Sequence, residues 1–141
     1  MKIADILRHK GATVVTIAPS DTVATLLASL AEHNLGALIA VDDDRVVGIV
    51  SERDVVRAAA REGASVFDQP VSRYMTAEVV SCTSDDAVAS IAATMTDRRI
   101  RHMPVIDGDN LAGIVSIGDV VSSQIRQLEH EREHLEQYIS S

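Results

Sequence analysis

Apolar positions recur along this chain with two alternating periods. Val23, Leu26, Leu27 and Leu30 fall three and four apart, the spacing of one helix face, and Val88, Ile91, Ala92 and Met95 repeat that spacing. A short run precedes each segment, Val14-Val15-Thr16-Ile17 or Val79-Val80-Ser81-Cys82, and predicts a strand. Pro, Ser and Asp residues follow each run and predict a helix start. Downstream, the apolar runs Ala37–Val41 and Val46–Val50 flank Asp42-Asp43-Asp44-Arg45, which predicts a hairpin whose strands are buried on most sides. A second hairpin is expected around Asp107-Gly108-Asp109-Asn110, and a further helix from about Ser51 to Ala60 and again from about Ser116 onward.

The two halves are copies. Val14–Ala59 overlays Val79–Gln124 at a constant offset of 65 without a gap, with 15 of 46 positions identical. Other positions exchange like for like, Leu26 with Ile91, Leu30 with Met95 and Val41 with Ile106. A two-copy repeat is too short for a solenoid. The expected fold class is α+β: two β-α-β-β-α units packed sheet against sheet as a pseudo-two-fold pair, because one such unit alone buries too little. Sequence order puts the first unit with its N-terminal arm at 1–65, the second with its lead-in arm at 66–125, and a C-terminal helical extension at 126–141. The arms echo each other: Ile3–Arg8 matches Val71–Thr76 in pattern, with His9-Lys10-Gly11 extra before the first strand.

Composition narrows the function classes. The 141 residues carry 46% hydrophobic and 24% charged positions, as a globular chain does, and only three aromatics, Phe67, Tyr74 and Tyr138. Thirteen Lys and Arg against 21 Asp and Glu leave a net charge of -8, which repels a phosphate backbone, so no nucleic-acid partner is expected. No run of apolar residues is long enough for a membrane, and the N-terminal MKIADILRHKG lacks the apolar core of a signal sequence. Cys82 is the only cysteine, which excludes an internal disulfide and fits a reducing, cytoplasmic setting. Along the tail, Val121, Ile125, Leu128, Leu135 and Ile139 form a coiled-coil-like seam interrupted by Arg132. That seam fits either a partner surface or the chain's own domain.

The candidate chemistry lies in a shared string, Gly48-Ile49-Val50-Ser51-x-x-Asp54 and Gly113-Ile114-Val115-Ser116-x-x-Asp119, at each strand-to-helix junction. Serine followed three residues later by an acid makes a capping box. The same helix entrance also presents free N–H groups to phosphate and a carboxylate to the hydroxyls of a ribose. Both readings stand on spacing alone. His130-Glu131-Arg132-Glu133-His134 matches H-E-x-x-H, but a charged, solvated helix face accounts for it, and no metal is expected. Cys82 occupies the place of Ile17 and reads as a buried hydrophobe, and Gly113–Gly118 misses the nucleophile elbow by one position. No catalytic residues are assigned.

Two β-α-β-β-α copies, each closing on GIVSxxD, with HMPVID at His102–Asp107, resemble a CBS-domain pair, the Bateman module, over about residues 1–125. Free-standing bacterial versions are most similar. The resemblance implies a regulatory, non-catalytic module holding an adenosyl ligand such as AMP, ATP, NAD or S-adenosylmethionine in clefts between the two units. It also implies a homodimer and an unidentified regulated protein. By this likeness Asp54 and Asp119 take the ribose, and Ser51 and Ser116 the ribose or phosphate. Each cleft borrows the opposite arm, which sets Lys10, Gly11 and Thr13 beside Ser116 and Asp119, and Thr76 and Val79 beside Ser51 and Asp54. The Asp119 cleft, with Arg101, His102, Met103 and Pro104, is expected to hold an anionic nucleotide more tightly than the Asp54 cleft. The latter has Gly36, Ala37, Leu38 and Ile39 at those places and Arg53 as its nearest cation. The alternative is a ligand-free dimerisation adaptor that docks a partner protein.

Overall fold

A computed structural model describes residues 1–11 and 13–140. In chain order the elements are α1 (Ile3–Lys10), β1 (Thr16–Ile17), α2 (Val23–His33), β2 (Ala37–Asp42), β3 (Arg45–Ser51), α3 (Glu52–Glu62), α4 (Val88–Arg98), β4 (His102–Asp107), β5 (Asn110–Ser116) and α5 (Ile117–Ser140). Two 3-10 turns, Gly63–Asp68 and Val71–Arg73, lie between α3 and α4. The α+β class and both hairpins are as expected. By packing, the chain divides into Val14–Val80, hereafter the Asp54 unit, and Met1–Thr13 with Ser81–Ser141, the Asp119 unit. Counted this way rather than in sequence order, each lead-in arm joins the repeat copy it does not precede.

The Asp54 unit carries a three-stranded sheet, β1-β2-β3, with β1 parallel and β3 antiparallel to β2. Asp43 and Asp44 turn the hairpin with φ of 54° and 62°, the left-handed pair that a two-residue loop requires of its centre. Helix α2 starts on Thr22, whose hydroxyl accepts the Thr25 N–H at 3.2 Å, and ends on Asn34 in the left-handed region. Its apolar stripe, Val23, Leu26 and Leu30, joins Ile17, Leu38, Val50, Val55, Val66 and Val71 in one buried cluster.

The Asp119 unit repeats the plan with its own hairpin, β4-β5, and α4 packed on α5. Both hairpins carry a register shift at the same repeat position, Ala40/Val41 and Val105/Ile106. The strand expected at Val79–Cys82 shrinks to one parallel bridge, Cys82 with Val105. Proline explains the loss. Cys82 donates its N–H to the Pro104 carbonyl at 3.0 Å and accepts from Ile106 at 2.8 Å, but Pro104 has no N–H to offer further back, so the ladder stops there. Ile39 fills the equivalent place beside β1 and pairs with Thr16. Cys82 is buried, and burial pushes its thiol up to about 12, as befits an inert core position.

Helix α5 runs on for 24 residues to Ser140. Among the described residues no helix is long and apolar enough to cross a membrane. The tail seam is exposed: Ile125, Leu128, Leu135 and Ile139 are 50 to 81% accessible.

Candidate functional site

Both Ser-x-x-Asp strings sit where expected, at the mouth between a hairpin's last strand and the helix that follows. At the first, the Asp54 N–H donates to Ser51 Oγ at 3.3 Å, while the Ser51 N–H and hydroxyl donate to Asp54 Oδ2 at 2.8 and 3.0 Å. At the second, the Asp119 N–H donates to Ser116 Oγ at 3.1 Å and the Ser116 N–H to Asp119 Oδ2 at 2.8 Å. Both serines therefore cap their helices, as the capping-box reading requires. Capping does not exhaust the Asp119 carboxylate, whose Oδ2 also meets a cation from outside its own string. Both carboxylates lie at a helix N-terminus, the end that favours anions.

The lead-in arms distinguish the two mouths. Helix α1 begins on a capping interaction in which the Lys2 N–H donates to Asp5 Oδ2, and it ends at Gly11, whose φ of +93° turns the chain away. Its last residue, Lys10, donates from Nζ to Asp119 Oδ2 at 2.7 Å and to the Ile114 carbonyl at 2.9 Å. In the Asp54 unit the corresponding edge is closed by backbone: the Thr76 N–H donates to the Ile49 carbonyl at 2.8 Å, and the Thr76 carbonyl accepts the Ile49 N–H at 3.0 Å. Among the described residues no lysine or arginine pairs with Asp54. Burial alone would push the Asp119 carboxyl up, but the Lys10 ammonium and the Ser116 N–H outweigh it and hold the carboxyl below its ordinary range.

Each arm lies over the glycine of its string. A side chain at Gly113 would meet Leu7 Cδ2 at 2.6 Å, and one at Gly48 would meet Met75 Sδ at 2.5 Å and the Thr76 carbonyl at 3.1 Å. Neither glycine has positive φ, so the requirement is for close approach rather than for conformation. Reasoning from the motif alone missed this contact, although G-I-V-S in both copies was its signal. The Ile114 carbonyl under Lys10 left no side-chain signal at all.

The remaining candidates divide. Gly11, Thr13, Arg53, Thr76 and Arg101 are exposed, and Ser51, Val79, His102 and Ser116 are half-buried. His102 opens β4 directly across from Ser116. The Arg101 carbonyl accepts the Ile117 N–H at 2.8 Å, so its backbone helps hold the start of α5. Met103 is fully buried and Pro104 is buried, with its carbonyl spent on Cys82. These two contribute strand structure rather than open side-chain surface. His130 and His134 are exposed on α5, and among the described residues no group of three or more His, Cys, Asp or Glu side chains is placed to hold a metal.

A family model for the CBS domain matches residues 3–61 and 71–126. A mitochondrial CBS domain-containing protein of Arabidopsis thaliana is 34% identical over 97% of this chain and 71% of its own length. The crystal structure of a CBS-domain containing protein from Agrobacterium tumefaciens is 40% identical, covers 88% of this chain and 99% of that one, and superposes with a TM-score of 0.85. A CBS domain pair crystallised with 5'-methylthioadenosine and S-adenosyl-L-methionine is 25% identical over 86% of this chain and 98% of its own, with a TM-score of 0.77. With both repeat copies matched and the fold shared, this chain belongs to the CBS domain family and carries the domain twice.

Proposed function

We propose that this protein is a regulatory, non-catalytic module that binds an adenosyl ligand of the AMP, ATP or NAD type at its Ser-x-x-Asp helix entrances. The observation that carries the reading is the Asp119 carboxylate at a helix N-terminus with the Lys10 ammonium 2.7 Å from it. A carboxylate there accepts ribose hydroxyls, while the helix start, Ser116 and Lys10 attract phosphate. Lys10 gives an acidic chain the local cation that its overall field does not provide. The adenosyl compounds in the complex of a related CBS pair support the ligand class. Arg101 and His102 serve the phosphates, Gly11 and Thr13 line the arm side, and the Asp54 entrance with Ser51, Arg53, Thr76 and Val79 is the weaker site. Met103 and Pro104 shape the strand behind it.

The same proposal makes the protein a cytoplasmic homodimer that signals to a separate protein, with the exposed seam of Ile125, Leu128, Leu135 and Ile139 set against a second copy. Titration calorimetry with AMP, ATP, NAD and S-adenosylmethionine tests the ligand. Asp119→Ala is expected to weaken adenine-nucleotide binding by at least about tenfold, the equivalent of one charged hydrogen bond. Circular dichroism should show the fold retained. Unchanged affinity overturns the proposal. The capping bonds of both serines favour the ligand-free adaptor as the second reading, and thermal-shift screening that finds no stabilising adenosyl compound would select it.

A further inference from the structure

The two entrances hold the same backbone edge in different ways. Ile49 and Ile114 are equivalent in the repeat. The Ile49 carbonyl is taken by the Thr76 N–H, whereas the Ile114 carbonyl is taken by the Lys10 side chain. The three extra residues of the first arm, His9-Lys10-Gly11, let α1 continue as a helix far enough to deliver that side chain, and they end it at once on a glycine. The ammonium then bridges two acceptors, the Ile114 carbonyl and Asp119 Oδ2, with both side chains about one-third or less exposed (32% and 24%).

A ligand hydroxyl that competes for Asp119 must weaken its bond to Lys10. A partly buried ammonium deprived of its carboxylate loses more than a solvated one would, so the exchange is favourable when the incoming molecule supplies a replacement anion. A neutral nucleoside supplies none, and a sulfonium nucleoside adds a second cation beside the first. The Asp54 entrance imposes no such condition, because a backbone bridge closes its edge and no cation engages its carboxylate among the described residues.

We propose that Lys10 is the specificity-determining residue of the Asp119 entrance, a side-chain latch that admits ribose ligands bearing a phosphate and disfavours neutral or cationic ones. This rests on the adenosyl-ligand reading above and adds to it a rule for which ligands enter. It also makes the two entrances chemically unequal: one selects for charge and the other does not.

The test uses the full chain with Asp54→Ala as background, so that calorimetry reports the Asp119 entrance, with AMP and 5'-methylthioadenosine as probes. AMP is expected to bind about tenfold or more tighter than 5'-methylthioadenosine. Adding Lys10→Met should bring the ratio to about threefold or less, by weakening AMP while leaving 5'-methylthioadenosine unchanged or tighter, since Asp119 is then released. Lys10→Arg should retain most of the preference. If Lys10→Met shifts both probes equally, the residue is structural and the latch is wrong, while the adenosyl reading stands. If neither probe binds before or after the substitution, the adenosyl reading itself fails and the latch with it.

Discussion

The Asp54 and Asp119 units come from one repeated pattern, yet the edge beside the string is closed by backbone in the first and by a side chain in the second. The Asp54 unit has a parallel strand beside β2 and a reciprocal backbone bridge from Thr76 to Ile49. In the Asp119 unit that strand is reduced to the Cys82 bridge, and charged groups add to the closure. Lys10 reaches Ile114 and Asp119, and Asp107 accepts the Ser84 N–H at 2.9 Å and its hydroxyl at 2.6 Å. In the other copy Ser84 is replaced by Pro19, which has no N–H or hydroxyl to donate, and the matching Asp42 is exposed. Backbone closure is indifferent to pH and salt, whereas closure by carboxylates and an ammonium responds to both. The edge beside Asp119 should therefore respond to charge and pH where the edge beside Asp54 does not.

The glycines under the two arms break that comparison most directly. Gly48→Ala drives a methyl into Met75 and against the Thr76 carbonyl, which the Ile49 bridge holds in place. Gly113→Ala meets only the flexible end of Leu7. Denaturant unfolding should therefore show a loss of about 1–3 kcal/mol for Gly48→Ala. For Gly113→Ala it should show under about 1 kcal/mol, because the strand gains from losing a glycine. Equal losses would mean that the two arms are held alike.

Much of this architecture was legible because it is written twice. The spacing of Val23, Leu26 and Leu30 and its copy in Val88, Ile91 and Met95 define core helices, and the acidic hairpin turns are marked by residues that tolerate positive φ. The Ser-x-x-Asp strings locate the entrances, although spacing alone left capping and ribose binding as alternatives. What escaped the pattern depends on contacts between distant positions. Nothing in Leu7 or Met75 announces that it will lie on a glycine more than twenty residues away. The family likeness points to Pro104 for the ligand and is silent on its effect on the sheet, which is exerted through a missing N–H. The three-residue insertion before the first strand was visible, but its consequence follows only once α1 is seen to run as a helix to Lys10.

Acid should sharpen the contrast next. Two carboxyls of the Asp119 unit are held low, Asp119 by Lys10 and the Ser116 N–H against its burial, and Asp107 by the Ser84 hydroxyl and N–H. A carboxyl whose folded value lies below its unfolded one, about 4, contributes stability that is fully present above that value. That stability is lost as pH falls through the folded value. Unfolding free energy should thus fall below about pH 4, and Lys10→Met should make the fall shallower by removing part of what holds Asp119 down. Urea titrations at neutral and acidic pH measure both slopes, and parallel slopes for the variant and the parent would show that Lys10 does not set the carboxyl's affinity for protons.

The smallest effect tests whether one missing N–H separates the two sheets. Pro104→Ile places at β4 the residue that β2 carries at the same repeat position, and Ile39 is accommodated there with full burial. The new amide restores the donor that proline lacks and can let the Cys82 bridge extend to Ser81, a two-residue ladder like that of Thr16 and Ile17. One added hydrogen bond is worth about 0.5–1.5 kcal/mol, and removing proline returns about 0.4–1 kcal/mol of freedom to the unfolded chain. The two nearly cancel, so global stability should hardly move. Hydrogen exchange is the decisive measurement, because it reads the ladder locally: the residue-104 amide should exchange far more slowly than an exposed loop amide, with Cys82 protected at least as well as before. An unprotected amide at that position would show that the backbone course before Cys82, and not the proline, keeps the Asp119 unit at two strands.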